Sequence, residues 1–188
     1  MDGQLLADHW LAVKNGPMPG TEDVTGEAFA ELLTQPQEPL SYDHVLLLGD
    51  EAPNGDSRRW MLLLLWWQTG QLLDYILGVK NSDLLRSKPF SERTDAVADA
   101  LHPALLQTQV TSSFPPTILC HGKEDPLILP AESELTYKQL RDLGVEAELH
   151  VLNGACYSLM DTQKPQNLAP GAQELREKAA GFLLSKPL

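Results

Sequence analysis

The sequence predicts an α/β fold with parallel strands, and three stretches predict it. Thr117-Ile118-Leu119-Cys120 is a short, β-branched and apolar run, bounded by Phe114-Pro115-Pro116 and by His121-Gly122, which is the pattern of a buried strand. Glu132 to Leu143 reads as a helix with Leu135, Leu140 and Leu143 turned inward and Gly144 as its stop. Val145 to Leu152 reads as a second strand. Strand, helix and strand in that order make one βαβ unit, whose crossover returns the chain in the same direction and so pairs the strands in parallel.

Size and charge bound the rest. A chain of 188 residues suits one domain, and 43% hydrophobic with 21% charged residues is globular usage. The formal net charge is -12 and the pI about 4.7. Phosphate binding needs clustered Lys and Arg, so no nucleic-acid partner is expected; the spread acids read as a solvated surface. The two cysteines, Cys120 and Cys156, lie in or beside strands and form neither a metal spacing nor a disulfide framework. Residues 1–13 lack a basic start and a small-residue cleavage site, so no leader is expected and the expected location is cytoplasmic.

Before the βαβ unit the chain reads as helical and irregular. Residues 1–13 form a short helix in this reading, with Leu5, Leu6, Trp10 and Val13 on one side. A Gly- and Pro-containing loop follows from Lys14 to Gly20, and Thr25 caps a helix that runs through Leu33 with Glu27 in its first turn. Residues 35–44 are Pro-rich, and Val45 to Leu48 is too short to type. The longest apolar run is Trp60 to Trp67, and residues 57–77 read as one helix ended by Gly78. A membrane span needs about 20 mostly apolar residues. Gln68-Thr69-Gly70-Gln71 interrupts this one, so no span is expected. Two readings stay open for the segment: a buried helix, or a lid whose Trp66 and Trp67 line an apolar substrate pocket. Residues 81–95 read as loop, Asp95 to Leu106 as a helix broken at Pro103, and Ala172 to Leu184 as a last amphipathic helix with Leu175, Ala179, Phe182 and Leu183 on one face.

Asp125 is the candidate for chemistry. It follows the first strand in His121-Gly122-Lys123-Glu124-Asp125, and in open α/β sheets ligands bind beyond the carboxyl ends of strands. An acid there can orient a histidine for nucleophilic catalysis; equally, it can shape the turn before Pro126 or cap the next helix. His121 reads as part of the turn. No His, Cys or carboxylate grouping has metal-ligand spacing, and no cofactor motif is present, so neither a metal nor a cofactor is expected.

The run Pro-Pro-Thr-Ile-Leu-Cys-His-Gly-Lys-Glu-Asp-Pro-Leu-Ile, with the helix and strand behind it, resembles the C-terminal part of an α/β-hydrolase of the esterase/lipase branch, particularly its fungal members. The Arg58–Gly78 segment is similar to their helical lid. The resemblance implies a partial α/β-hydrolase fold: residues 1–114 a lid-like helical region, residues 115–188 a βαβα part of the sheet. It makes Asp125 the triad acid of the His-Gly-x-x-Asp pattern, and it implies carboxylic ester or thioester cleavage in a natural-product setting.

The departures are specific. Tyr157 stands where the family places its histidine, in Asn153-Gly154-Ala155-Cys156-Tyr157. No Gly-x-Ser-x-Gly elbow is present; Gly55-Asp56-Ser57-Arg58-Arg59 lacks the closing glycine. The oxyanion loop is missing, and the chain begins after the place of the nucleophile. The expectation is therefore a truncated, catalytically impaired member, a pseudoenzyme. Two alternatives stand beside it: half of a hydrolase completed by another chain, and a non-enzymatic binder of an apolar small molecule or partner. A first strand without its neighbour leaves an open sheet edge, which favours self-association or a partner chain.

Overall fold

The computed structural model describes residues 4–14, 22–34 and 61–186. The chain divides into two compact units, Met1–Ala7 with Val97–Leu188, and Asp8–Ala96. The expected run at Val45 to Leu48, the string around Ser57 and most of the Lys14–Gly20 loop lie outside the described residues.

The Asp8–Ala96 unit is helical. Its helices are α1 (Asp8–Leu11), α2 (Ala30–Thr34), α3 (Leu62–Gln68), α4 (Leu72–Leu77), α5 (Ser82–Arg86) and α6 (Phe90–Arg93). The helix expected from Thr25 begins later, at Ala30; Thr25 Oγ1 accepts from the Ala28 N–H at 3.2 Å in the turn that precedes it. One core of this unit joins Val24, Phe29 and Leu32 to Leu62 and Leu65. The single helix expected over 57–77 is two. Gly70 takes φ +65°, its N–H donates to the Trp67 carbonyl at 3.1 Å, and the Gln71 N–H donates to the Trp66 carbonyl at 2.7 Å. These two bonds form a Schellman stop. Glycine is required there twice over: the left-handed φ disfavours any side chain, and a Cβ would lie 2.6 Å from Arg86 Nη2 and 2.7 Å from the Leu11 carbonyl oxygen. Arg86 fills that space and donates to the Leu11 and Gly70 carbonyls at 2.7 and 2.8 Å. Gly78 ends α4 in the left-handed region, as expected.

Residues 81–95 were expected as loop and instead carry α5 and α6. Buried Arg93 holds this segment: its Nε donates to the Leu85 and Lys88 carbonyls, both at 3.0 Å, and its Nη2 pairs with Asp8. Local polarity hid two short helices that are tied together by that guanidinium, carried on the last residue of α6. Leu6 and Leu11 are fully buried, whereas Val13, expected on their side, is exposed.

The other unit is the α/β one. A 3-10 turn covers Asp99–Ala104 with Pro103 inside it, followed by α7 (Leu106–Gln109), so the helix expected from Asp95 is irregular. Then come β1 (Thr117–Gly122), α8 (Pro130–Asp142), β2 (Ala147–Leu152), a 3-10 turn Tyr157–Leu159, and α9 (Ala172–Leu184). The two strands are parallel, with Thr117 opposite Ala147 and Gly122 opposite Leu152. The mixed α/β class with a βαβα order is what the sequence predicts. Pro130 opens α8 where its missing N–H costs nothing, Glu132 and Arg141 suit the two ends of the dipole, and Gly144 follows the end at φ +77°.

Alternation assigns the two faces. Leu119 and Ala147 pack with Leu140 of α8, Val145 and Val110. Cys120 and Leu152 pack with Ala172 and Leu175 of α9, Ala155, Leu159 and Ala169 on the other face. Each helix therefore covers one side of the sheet. Three expectations fail in detail. Thr117 to Cys120 are half-buried and not buried, because among the described residues the sheet has two strands and β1 has a neighbour on one edge. Leu143 and Leu183 point outward. The inner stripe of α8 is Glu132, Ser133 and Leu140, a polar beginning that hydrophobic periodicity does not register.

Candidate functional site at the strand ends

Asp125 is 7% exposed and stands in the turn between β1 and α8. The turn starts where the Asp125 N–H donates to the Gly122 carbonyl at 3.2 Å. The carboxylate closes it: Oδ1 accepts from the Leu127 N–H at 2.9 Å and from the Ile128 N–H at 3.0 Å. Asp125 thus shapes this turn; α8 begins later and has no side-chain cap. The second oxygen, Oδ2, lies 3.7 Å from His121 Nε2, beyond hydrogen-bond distance.

His121 is as buried as Asp125 and is bonded on both ring nitrogens. Nε2 lies 2.8 Å from the Ile128 carbonyl oxygen and Nδ1 lies 2.6 Å from Ser133 Oγ. A carbonyl oxygen only accepts, so Nε2 carries the proton; in the neutral ring, Nδ1 then accepts from the Ser133 hydroxyl. A Ser, a His and an Asp are therefore contiguous. The order differs from a hydrolytic triad, in which the acid accepts from Nδ1 and the serine donates to Nε2. The sequence signals His121 and Asp125, but Ser133 and the Ile128 carbonyl come from the fold.

The turn after β2 is laced to this one. The Glu124 N–H donates to the Ala155 carbonyl at 3.0 Å, the Lys123 N–H to the Leu152 carbonyl at 2.9 Å, and Glu124 Oε2 accepts from the Gly154 N–H at 2.9 Å. Gly122 permits the approach, because a Cβ there would lie 2.4 Å from the Cys156 carbonyl oxygen. Tyr157 projects from this second turn with 54% of its surface exposed. Ser158 and Leu159 behind it both have positive φ, 58° and 61°, a conformation that costs side-chain-bearing residues about 1–3 kcal/mol each. Arg176 Nη2 donates to the Ser158 carbonyl at 3.3 Å. The backbone around residue 157 is thus tightly prescribed while its phenol faces outward.

On the α9 face of the sheet, Glu148 Oε2 accepts from His150 Nε2 at 2.8 Å and from Lys178 Nζ at 3.1 Å. The His150 bond first, then Lys178, holds the Glu148 carboxyl below its usual range. Burial raises the Cys120 thiol above its ordinary value; Lys178 opposes that shift and Glu148 adds to it. A raised thiol is a poor nucleophile near neutrality. Among the described residues, no group of three or more His, Cys, Asp or Glu is placed to hold a metal ion.

Trp66 and Trp67 belong to the helical unit. Trp67 is 4% exposed; its Nε1–H donates to the His9 carbonyl at 3.0 Å, and its ring meets those of His9 and Trp10. Trp66 stacks on Tyr75, with ring centroids 3.9 Å apart and an interplanar angle of 13°. The Trp66 indole N–H is buried and has no acceptor among the described residues. Beside α3 is a cavity of about 270 Å³ whose walls include Val13, Val24, Thr25, Leu65, Gln68 and Thr69. That is smaller than the roughly 300–1,000 Å³ of pockets for drug-sized ligands, so it fits a small group. Among the described residues, no helix is long and apolar enough to cross a membrane.

No family model matches the chain, and no solved structure matches it. Curated sequences do. The chain is 31% identical over 119 residues to the non-reducing polyketide synthase mapC of Penicillium roqueforti (strain FM164), which covers 63% of this chain and 5% of the relative. It is 32% identical over 114 residues to mapC of Penicillium brevicompactum, covering 58% of this chain and again 5% of the relative. The chain thus spans about one-twentieth of the relatives it matches, and the likeness is to a stretch of a fungal polyketide synthase.

Proposed function

We propose that this chain is the acid-bearing portion of an esterase- or thioesterase-like α/β-hydrolase unit from fungal polyketide chemistry, impaired in catalysis by itself. Residues 115–188 are its sheet portion and residues 1–114 its lid-like helical region. Asp125 is the acid; in the helical unit taken by itself, Trp66, whose indole N–H has no acceptor among the described residues, is the aromatic offered to an acyl group, Trp67 being buried. One observation carries the reading. Buried at the carboxyl end of β1, Asp125 spends Oδ1 on two backbone amides and keeps Oδ2 outside any hydrogen bond among the described residues. An acid that orients a histidine needs one such acceptor oxygen. The likeness to polyketide synthases supports an acyl ester or thioester as the linkage.

Catalysis of this type needs a nucleophile whose proton a histidine removes, and Tyr157 is not an imidazole base near neutrality. Losing a triad member leaves about 10³–10⁴-fold catalysis over water, and that remainder rests on an oxyanion hole and binding. The test is hydrolysis of a short p-nitrophenyl ester and of an acyl thioester by the chain, with Asp125→Asn in parallel. The expected result is turnover well below about 1 s⁻¹ in both. Turnover in the parent that collapses in the variant overturns the impaired reading while keeping Asp125 as the acid.

The Trp66 indole N–H favours a second reading, an apolar-ligand binder that does no chemistry. Saturable quenching of tryptophan fluorescence by an aromatic polyketide-like acid supports it; a flat titration removes it.

A further inference from the structure

We infer that His121 is the positioning residue of Asp125: a brace, bonded on both ring nitrogens, that sets which carboxylate oxygen is used by the turn and which is left to accept. The inference rests on the reading of Asp125 as the acid of the site. Residue 128 is gripped on both sides of its Cα, through the peptide groups that precede and follow it. Its N–H goes to Asp125 Oδ1 at 3.0 Å, and its carbonyl accepts from His121 Nε2 at 2.8 Å. Ser133, in the first turn of α8, fixes the other end of the ring through Nδ1 at 2.6 Å. One imidazole therefore connects the strand, the turn and the helix.

The brace also decides what His121 does not do. Its Nε2 proton is committed to a carbonyl, so Asp125 Oδ2, 3.7 Å away, receives no hydrogen bond from it. Had the ring turned that N–H onto Oδ2, the second oxygen would share its lone pairs with His121 and the Ile128 carbonyl would lose its donor. The Ser-His-Asp set is consequently a support for the acid and has no nucleophile role of its own: Ser133 is 8% exposed and sits on the inner face of α8.

The geometry assigns a discriminating readout, amide hydrogen exchange of Leu127 and Ile128 compared with amides inside the β1–β2 ladder. In His121→Leu the Ile128 carbonyl loses its donor, the 128–129 peptide is released, and residue 128 is free to turn away from Asp125 Oδ1. Leu127 and Ile128 should then exchange about tenfold faster while the ladder keeps its protection; that factor corresponds to about 1.4 kcal/mol, the size of one lost hydrogen bond. His121→Gln places an amide N–H where Nε2–H was and should restore protection. Ser133→Ala is the milder variant and carries the test if His121→Leu does not fold; it should loosen the Ile128 amide before the ladder. Equal loss across turn and ladder in these variants, or unchanged exchange at both amides, overturns the brace. The outcome is independent of hydrolysis. Turn-selective exchange keeps the brace whether or not an ester is cleaved, and Asp125-dependent turnover bears on the acid reading alone, so the two fail separately.

Discussion

Gly122→Ala should cost more than a methyl group ordinarily does, and the contacts around it give the size. The new Cβ would start 2.4 Å from the Cys156 carbonyl oxygen, 2.5 Å from that of Ala155 and 2.8 Å from the Ala155 carbonyl carbon. All three are backbone atoms, so no side chain can swing aside. Ordinary contact lies near 3.5 Å, and the second turn must therefore retreat by about 1 Å. Retreat pulls on the Glu124 N–H to Ala155 bond at 3.0 Å and the Gly154 N–H to Glu124 Oε2 bond at 2.9 Å. Overpacking of this kind costs about 1–3 kcal/mol and each lost hydrogen bond about 1 kcal/mol. Alanine returns about 0.4–1 kcal/mol by restricting the unfolded chain. The balance is about 2–4 kcal/mol of lost stability.

Urea unfolding followed by far-ultraviolet circular dichroism reads this directly. With a slope of about 2 kcal/mol per molar urea, the midpoint should fall by about 1–2 M. Gly181→Ala is the control: a Cβ there meets nothing within 4 Å, and the residue lies inside α9, where alanine is favoured by about 1 kcal/mol. A Gly122→Ala midpoint within about 0.3 M of the parent refutes the interlocked-turn argument, because tight contact and intact bonds cannot both survive an added methyl.

Two further perturbations follow from the same reasoning. Arg93→Met keeps much of the side-chain volume but takes the guanidinium from the Lys88 carbonyl and leaves the Leu85 carbonyl with the Lys88 N–H alone; it should cost the helical unit about 1–3 kcal/mol, read from tryptophan fluorescence in urea. A loss under about 0.5 kcal/mol would mean that water replaces the guanidinium. Glu148→Gln should matter near neutrality and not in acid. The folded carboxyl is held low by His150 and Lys178, so its contribution is present above the ordinary carboxylate range and is lost as the pH falls through the lowered value. The difference in urea midpoint between parent and variant should shrink to nothing on acidification; a difference that grows instead contradicts the assigned ion pairs.

The βαβ unit was legible because its signals are local: proline before β1, alternation into two helix faces, glycine after α8, and α9 from Ala172 to Leu184 as read. The failures share a cause. Residues 81–95 are polar in sequence and are organised by a buried arginine, whose carbonyl partners a sequence does not display. Gly70 looked like an interruption of polarity, but it is a left-handed stop that splits one helix into two. In α8 the periodicity of Leu135, Leu140 and Leu143 pointed to one stripe, and the fold buries Glu132 and Ser133 beside Leu140. Ser133 faces inward and meets His121 Nδ1 at 2.6 Å, a pairing across twelve positions that no periodicity encodes. Of the site, the turn role of Asp125 was readable; that the turn uses one carboxylate oxygen and leaves the other outside its bonds was not.

That division of oxygens determines how substitutions at Asp125 must be interpreted. Asparagine retains one carbonyl oxygen, and the Leu127 and Ile128 N–H groups will take it, because an amide NH₂ in that position would oppose two donors. Its NH₂ then replaces Oδ2, the oxygen left to accept from a histidine. Asp125→Asn should therefore preserve the turn and abolish only the outward acceptor. Asp125→Ala removes both, exposing two unpaired amides at about 1 kcal/mol or more each. Hydrogen exchange at Leu127 and Ile128 separates the cases: near-parental protection in the asparagine variant, rapid exchange in the alanine variant. If asparagine loosens the turn as much as alanine, Oδ1 and Oδ2 do not have separate tasks, and a loss of any activity in Asp125→Asn could no longer be credited to a missing acid.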